Sequence, residues 1–118
     1  MDAEVIRQYC LHKKGVTESF PFDEHGLVFK VLGKMFGICA LNRVPTQVNL
    51  KCNPERSIEL RETYDGAITG AWHMNKTHWN TVILEEVPPK LVFELIDHSY
   101  DLVVQKMTKK QQAELHSL

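Results

Sequence analysis

Paired cysteines, long apolar runs and any marked excess of one charge are all missing from this sequence of 118 residues. Its three cysteines, Cys10, Cys39 and Cys52, lie far apart without a Cys-x-x-Cys pair. That odd count suits reduced thiols in the cytoplasm better than a disulfide framework. The acidic start, Met1-Asp2-Ala3-Glu4, carries no apolar stretch, so neither a signal peptide nor a membrane span is expected. Lys and Arg total 14 against 15 for Asp and Glu, a net charge of −1, which gives the whole molecule no mandate to seek phosphate or anionic lipid. With 43% hydrophobic and 25% charged residues the composition is that of an ordinary globular protein, and it excludes disorder and collagen-like repeats. The length predicts a single domain over residues 1–118 with one core.

Helix signals open the chain. Asp2 can cap, Val5, Ile6 and Tyr9 fall on one face, and Gly15 stops the helix, which predicts a first helix over about residues 3–13. Two β-rich runs, 27–32 and 35–41, flank Gly33-Lys34, a two-residue hairpin signal of the II′ type. In 46–51, Val48 and Leu50 alternate with Gln47, Asn49 and Lys51, the pattern of a half-buried strand. Asn53-Pro54-Glu55 starts a second helix that runs to Asp65-Gly66. Two short β runs follow, about 68–72 and 79–84, with Trp79 read as a core anchor beside Val82 and Leu84. Pro88 and Pro89 open a long helix whose Leu91, Val92, Leu95, Ile96, Leu102 and Val103 recur at helical spacing. Thr108-Lys109-Lys110-Gln111 has capping-box spacing and begins a short last helix. The expected fold is therefore α+β, two layers, an antiparallel sheet with helices on one face in the order α-β(3)-α-β(2)-α plus the C-terminal helix.

The densest polar and aromatic cluster is Trp72-His73-Met74-Asn75-Lys76-Thr77-His78-Trp79-Asn80-Thr81. As a metal site it would use His73 and His78, but these lack the i, i+4 spacing of a zinc helix and no carboxylate or Cys lies between them. As an acid/base site it lacks a nucleophile elbow, and the serines Ser19, Ser57, Ser99 and Ser117 have no motif context. Two further readings stay open: a connection ordered by hydrogen bonds, or a surface where amides and Lys76 grip phosphate and Trp72 stacks on a ring, with His73, Asn75 and His78 as contacts. Asp97-His98-Ser99-Tyr100 looks catalytic as a string, yet neighbouring helical residues point in different directions. Cys52, just before a capped helix, is a candidate reactive thiol or a small packed side chain.

Charge is distributed unevenly. No acid occurs from Leu27 to Pro54 or from Gly66 to Leu84, whereas Lys30, Lys34, Arg43, Lys51 and Lys76 are basic. If these segments share a sheet, its exposed face and hairpin tips are basic and the helical layer acidic. Against this stands the tendency of strands to avoid Asp and Glu in any case.

At this level the chain resembles the MmcQ/YjbR-like family of small bacterial domains, placed with the CyaY-like structural group. The likeness rests on Tyr9-Cys10, Gly15, Glu18-Ser19-Phe20-Pro21-Phe22, Lys34-Met35-Phe36, Leu50-Lys51-Cys52-Asn53-Pro54, the motif from His73 to Val82, and Ser99-Tyr100. Lys14 and Gly70 stand where the family usually has proline. The resemblance implies the fold given above and a DNA-binding role through two projecting wings of the sheet. The expectation is thus a non-enzymatic protein without cofactor or metal, contacting DNA weakly through Lys30, Lys34, Arg43, Lys51 and Lys76 because few phosphate contacts are on offer. The alternative is a protein-interaction or chaperone-like module.

Overall fold

In the computed structural model, which describes residues 1–71 and 73–118, Asp2 caps the first helix by accepting the Val5 N–H at 3.0 Å. That helix, α1, spans Ala3–Leu11 and buries Ile6 and Cys10. It ends two residues short of the expected position, and the chain reverses at Gly15, whose φ is +73°. A Cβ there would come within 2.7 Å of Leu115 Cδ1, so close approach adds to the conformational demand for glycine.

Six strands follow: β1 (Val16–Ser19), β2 (Gly26–Val31), β3 (Lys34–Ala40), β4 (Gln47–Lys51), β5 (Ile68–Gly70) and β6 (Trp79–Ile83). They form one antiparallel sheet in the order β1-β2-β3-β4-β6-β5. The expected α+β class, with its antiparallel sheet, is the observed one. The sequence reading found five of the strands and missed β1, a short edge strand in which Thr17 and Ser19 are exposed and Glu18 breaks the β pattern. Glu18 is held there by α1, because Arg7 donates Nε and Nη2 to its two oxygens at 2.7 and 2.8 Å.

The β2–β3 hairpin turns one residue earlier than expected. Val31 pairs with Lys34, which leaves Leu32 and Gly33 as the turn, both at positive φ (+47° and +80°). Two positive φ values belong to the I′ hairpin turn, not the II′ turn. Further along, Lys30 pairs with Met35 and Phe29 with Gly37, so Phe36 is an extra residue, a β-bulge. Its ring is fully buried and meets Tyr100 edge-on at 5.5 Å.

Helices α2 (Pro54–Thr63), α3 (Pro89–Gln105) and α4 (Lys109–His116) join α1 on one face of the sheet, and the expected capping box of α4 forms between Thr108 and Gln111. One core cluster unites Phe29, Val31, Cys39, Val48, Leu50 and Val82 from the sheet with Ile6, Cys10, Leu60, Val92, Leu95, Ile96, Val103 and Leu115 from the helices. Each such buried aliphatic or aromatic side chain is worth about 1.5–3 kcal/mol. Trp79 departs from the sequence reading. It is only half-buried, and strand alternation puts it opposite Val82, on the face the helices leave open. Among the described residues no helix is long and apolar enough to cross a membrane.

Candidate functional site

The open face follows from the register. Residues with the parity of Trp79 include Lys30 and Met35, paired across β2 and β3, the row Val28, Ile38, Asn49 and Thr81, in which Val28 is fully buried, and Lys51 opposite Trp79. None of the strands β2 to β6 contains an acid. Over this face lies a groove of about 410 Å3. Met35, Ile38, Asn49 and Trp79 line its sheet side, Phe22 one wall, and His73, Met74 and Asn75 the other.

The wall at 73–75 belongs to the β5–β6 connection, and α2 shapes it from the opposite side of the sheet. Arg61 donates Nε to Asn80 Oδ1 at 2.9 Å and Nη2 to the carbonyl of Lys76, while Asn80 donates to the buried Ser57 hydroxyl at 3.1 Å. Within the connection, Asn75 is the organiser. Its carbonyl accepts the N–H groups of His78 and Trp79, and its Oδ1 accepts the N–H of Thr77 at 3.0 Å, an Asx turn. The His78 carbonyl accepts the Cys52 N–H at 2.7 Å, tying the connection to the end of β4. His73 has a φ of +64°, a left-handed conformation in which His is enriched among non-glycine residues.

Asn49 is fixed from the sheet. The Thr81 hydroxyl donates to its Oδ1 at 2.6 Å, and its Nδ2 donates to the Met74 sulfur at 3.5 Å. The groove therefore offers thioethers, aromatic rings, an imidazole and amide donors. Among the described residues no group of three or more His, Cys, Asp or Glu gathers to hold a metal ion.

The five cations of the sequence reading occupy different places. Lys30 and Lys51 have the parity of the open face and lie on either side of β3. The ammonium of Lys51 is held below its ordinary pKa, first by burial and then by Lys106. Lys34 is exposed at the hairpin tip, opposite Val31 of the core face. Arg43 belongs to the β3–β4 loop, beside Gln47, Thr69, Thr81 and Ile83. The stem of Lys76 runs along Gly70, close to Pro54, Ser57, Ile58 and Arg61 of α2. His73 and Asn75 reach the groove, and His78 is half-buried next to Trp79. Trp72 lies outside the described residues.

The string from Asp97 to Tyr100 diverges as its helical spacing requires. Asp97 accepts the Tyr9 hydroxyl at 2.8 Å and pairs with Lys13, His98 Nε2 accepts the Asn53 N–H at 3.1 Å, and Tyr100 donates to the Lys14 carbonyl at 2.7 Å. Ser99 turns to β3 and β4. All three cysteines are buried free thiols, and burial pushes Cys10 up to about 12 and Cys39 up to about 11, which makes them poor nucleophiles. A second concavity, about 560 Å3, lies on the helical layer between α1 and α3, with Val5, Tyr9 and Phe93 as its apolar residues and Glu4, Gln8, His12 and Lys13 around them.

Met35, Ile38, Asn49 and Phe22 were not among the candidate site residues of the sequence, although Met35 and Phe22 fall within the motifs that carry the family resemblance. Alternation carries a signal for three of them, because Asn49 shares parity with Lys51 in β4, and Met35 and Ile38 stand opposite Lys30 and Asn49. Strand alternation carries no signal for Phe22, which reaches the groove through the β1–β2 loop.

Comparison with known proteins places these features in a wider set. The sequence matches the family model described as YjbR over residues 11–102. It is 34% identical over 110 residues to the uncharacterised protein YbdF of Escherichia coli O157:H7, covering 92% of this chain and 89% of that one. It is 29% identical over 112 residues to the uncharacterised protein YjbR of Escherichia coli K12, with 94% of both chains covered. The crystal structure of the Deinococcus radiodurans protein DR2400 superposes with a TM-score of 0.90 at 39% identity, over 96% of this chain and 86% of that one. A Pseudomonas syringae protein gives 0.73 at 26% identity, over 86% and 98%.

Proposed function

The chain belongs to the YjbR family, and from that premise we propose that its open sheet face binds nucleic acid, as a contact surface and not as a catalyst. One observation carries the reading. A groove lined by rings, thioethers and amides lies on acid-free strands whose two open-face lysines, Lys30 and Lys51, stand opposite Met35 and Trp79 of its lining. Rings and thioethers favour stacking, and lysines beside them favour phosphate. A cytoplasmic setting suits the three buried free thiols.

Net charge limits the strength. About three phosphate contacts, from Lys30, Lys51 and Arg43, predict a slope of about −2.7 in log affinity against log salt, or a loss of about 40-fold between 50 and 200 mM. Titration of labelled oligonucleotides at those two salt concentrations tests the reading. Saturable binding with that slope supports it, and no binding at high micromolar protein in low salt ends it.

The apolar concavity between α1 and α3 favours a second reading, a protein-interaction module that uses its helical face. Val5 there is 42% exposed and Phe93 half-buried. Val5→Asp would abolish capture of such a partner and leave oligonucleotide affinity unchanged.

A further inference from the structure

We propose that the open-face groove takes one unpaired nucleobase by its carbonyl edge, so that the protein prefers single strands to duplex. The inference rests on the nucleic-acid reading above and sharpens it to a ligand class.

The orientation of two amides is the starting point. Because the Thr81 hydroxyl donates to Asn49 Oδ1, the Asn49 NH2 group faces the groove, where its partner is the Met74 sulfur at 3.5 Å. A thioether is a weak acceptor, so a ligand carbonyl replaces it with a gain. On the wall, Asn75 spends its Oδ1 on the Thr77 N–H, which leaves its NH2 group as the part to present. Two oriented donors with no carboxylate on the strands beneath them call for a ligand rich in acceptors.

Shape and charge select among such ligands. The groove spans β3, β4 and β6, about 10 Å of sheet at ordinary strand spacing, and its 410 Å3 lies within the range of small-ligand sites. Trp79, Phe22, Ile38 and the two methionines offer flat or pliable apolar contact to the faces of a planar ring. Lys30, opposite Met35, and Lys51, opposite Trp79, put positive charge beside the groove, where the phosphates adjoining that ring would pass. Asp23 and Glu24 follow Phe22, so the backbone would run along the lysine side of the groove and away from that wall. A planar, carbonyl-bearing ring between two phosphates is an unpaired base. In a duplex the faces of that ring are covered by its stacked neighbours and cannot seat against Trp79 and Ile38.

The test compares three probes of equal length, about 12 nucleotides, within the span of known single-strand sites: oligo-dT, the same backbone with abasic sites, and a duplex. Fluorescence anisotropy at about 50 mM salt should give oligo-dT an affinity about tenfold above either of the others. Asn49→Leu should reduce the advantage of oligo-dT over the abasic strand, leaving what ring stacking supplies, and Lys30→Ala should weaken both alike. Should Asn49→Leu fail to fold by circular dichroism, Asn75→Asp, which keeps the Oδ1 acceptor of the Thr77 N–H and removes the NH2 donor, asks the same question through the ratio of oligo-dT to abasic affinity. Equal binding of the oligo-dT and abasic strands, or tighter binding of duplex, overturns the inference and leaves the broader reading standing. Absence of binding to all three overturns both.

Discussion

Ser99 bridges a gap in the sheet by donating to the carbonyl of Phe36. The same hydroxyl accepts the N–H of Lys51 at 2.9 Å. The β3–β4 ladder ends at Gly37 and Leu50, because the bulge at Phe36 carries β3 away from the next residue of β4. Two backbone groups that would have paired there are buried, and a buried carbonyl or N–H needs a partner. One hydroxyl from α3 serves both, which is why a fully buried serine interrupts the apolar stripe of that helix.

Ser99→Ala should therefore destabilise well beyond the loss of one exposed hydrogen bond. It leaves a donor and an acceptor unsatisfied, at about 1–3 kcal/mol each. Urea denaturation should show a lower midpoint at unchanged slope. A change below about 0.5 kcal/mol would mean that the bulge closes and Phe36 pairs with Lys51 directly.

The two aromatic residues Trp79 and Phe36 should part company. Phe36 is fully buried in the core, and its truncation to Ala should cost about 3–5 kcal/mol. Trp79 has solvent on the open face, and Trp79→Ala should cost about 1–2 kcal/mol, since only part of its area is removed from water. Equal losses in chemical denaturation would put Trp79 back in the core.

How far the sequence reaches is visible in these same residues. The helices, the β4 alternation and the capping box were legible because cap, period and apolar stripe coincide within a few positions. Strand β1 was not, since its stability comes from β2 and from Arg7 eleven residues away from Glu18, contacts that no local pattern encodes. Trp79 was misassigned because hydrophobicity suggested the core while parity with Val82 excluded it. For the site, the motif from His73 to Trp79 was legible as a polar cluster. The partners Met35, Ile38 and Asn49 were hidden by register, which only strand pairing fixes.

A pH dependence follows from His98. Its pKa is lowered, first by burial and then by Arg56, with Asp101 opposing, and its Nε2 accepts the Asn53 N–H, so the folded state favours the neutral ring. The unfolded chain then binds more protons, and stability rises with pH through this range. The contribution is complete above the unfolded value of about 6.5 and is lost as pH falls through the lower folded value. Thermal melts from about pH 7.5 down to pH 5 should show a decline that His98→Gln flattens, distinct from any carboxylate transition at lower pH. Parallel curves for the two proteins would show that His98 binds protons equally in the folded and unfolded states.

Lys51 and Lys76, both candidate phosphate contacts by sequence, should behave differently. Lys51 has the parity of the open face, so Lys51→Ala should reduce the salt slope of oligonucleotide binding by about one, as should Lys30→Ala. The Lys76 stem lies against Gly70 on the α2 side, where a Cβ added at Gly70 would come within 3.2 Å of it. Lys76→Ala should therefore leave the salt slope unchanged and lower stability by about 0.5–1 kcal/mol through lost packing, with Lys76→Met, which keeps most of the stem, restoring it. A slope reduced by about one in Lys76→Ala, with stability intact, would instead place that ammonium on the phosphate path and extend the binding surface around the sheet edge past β5.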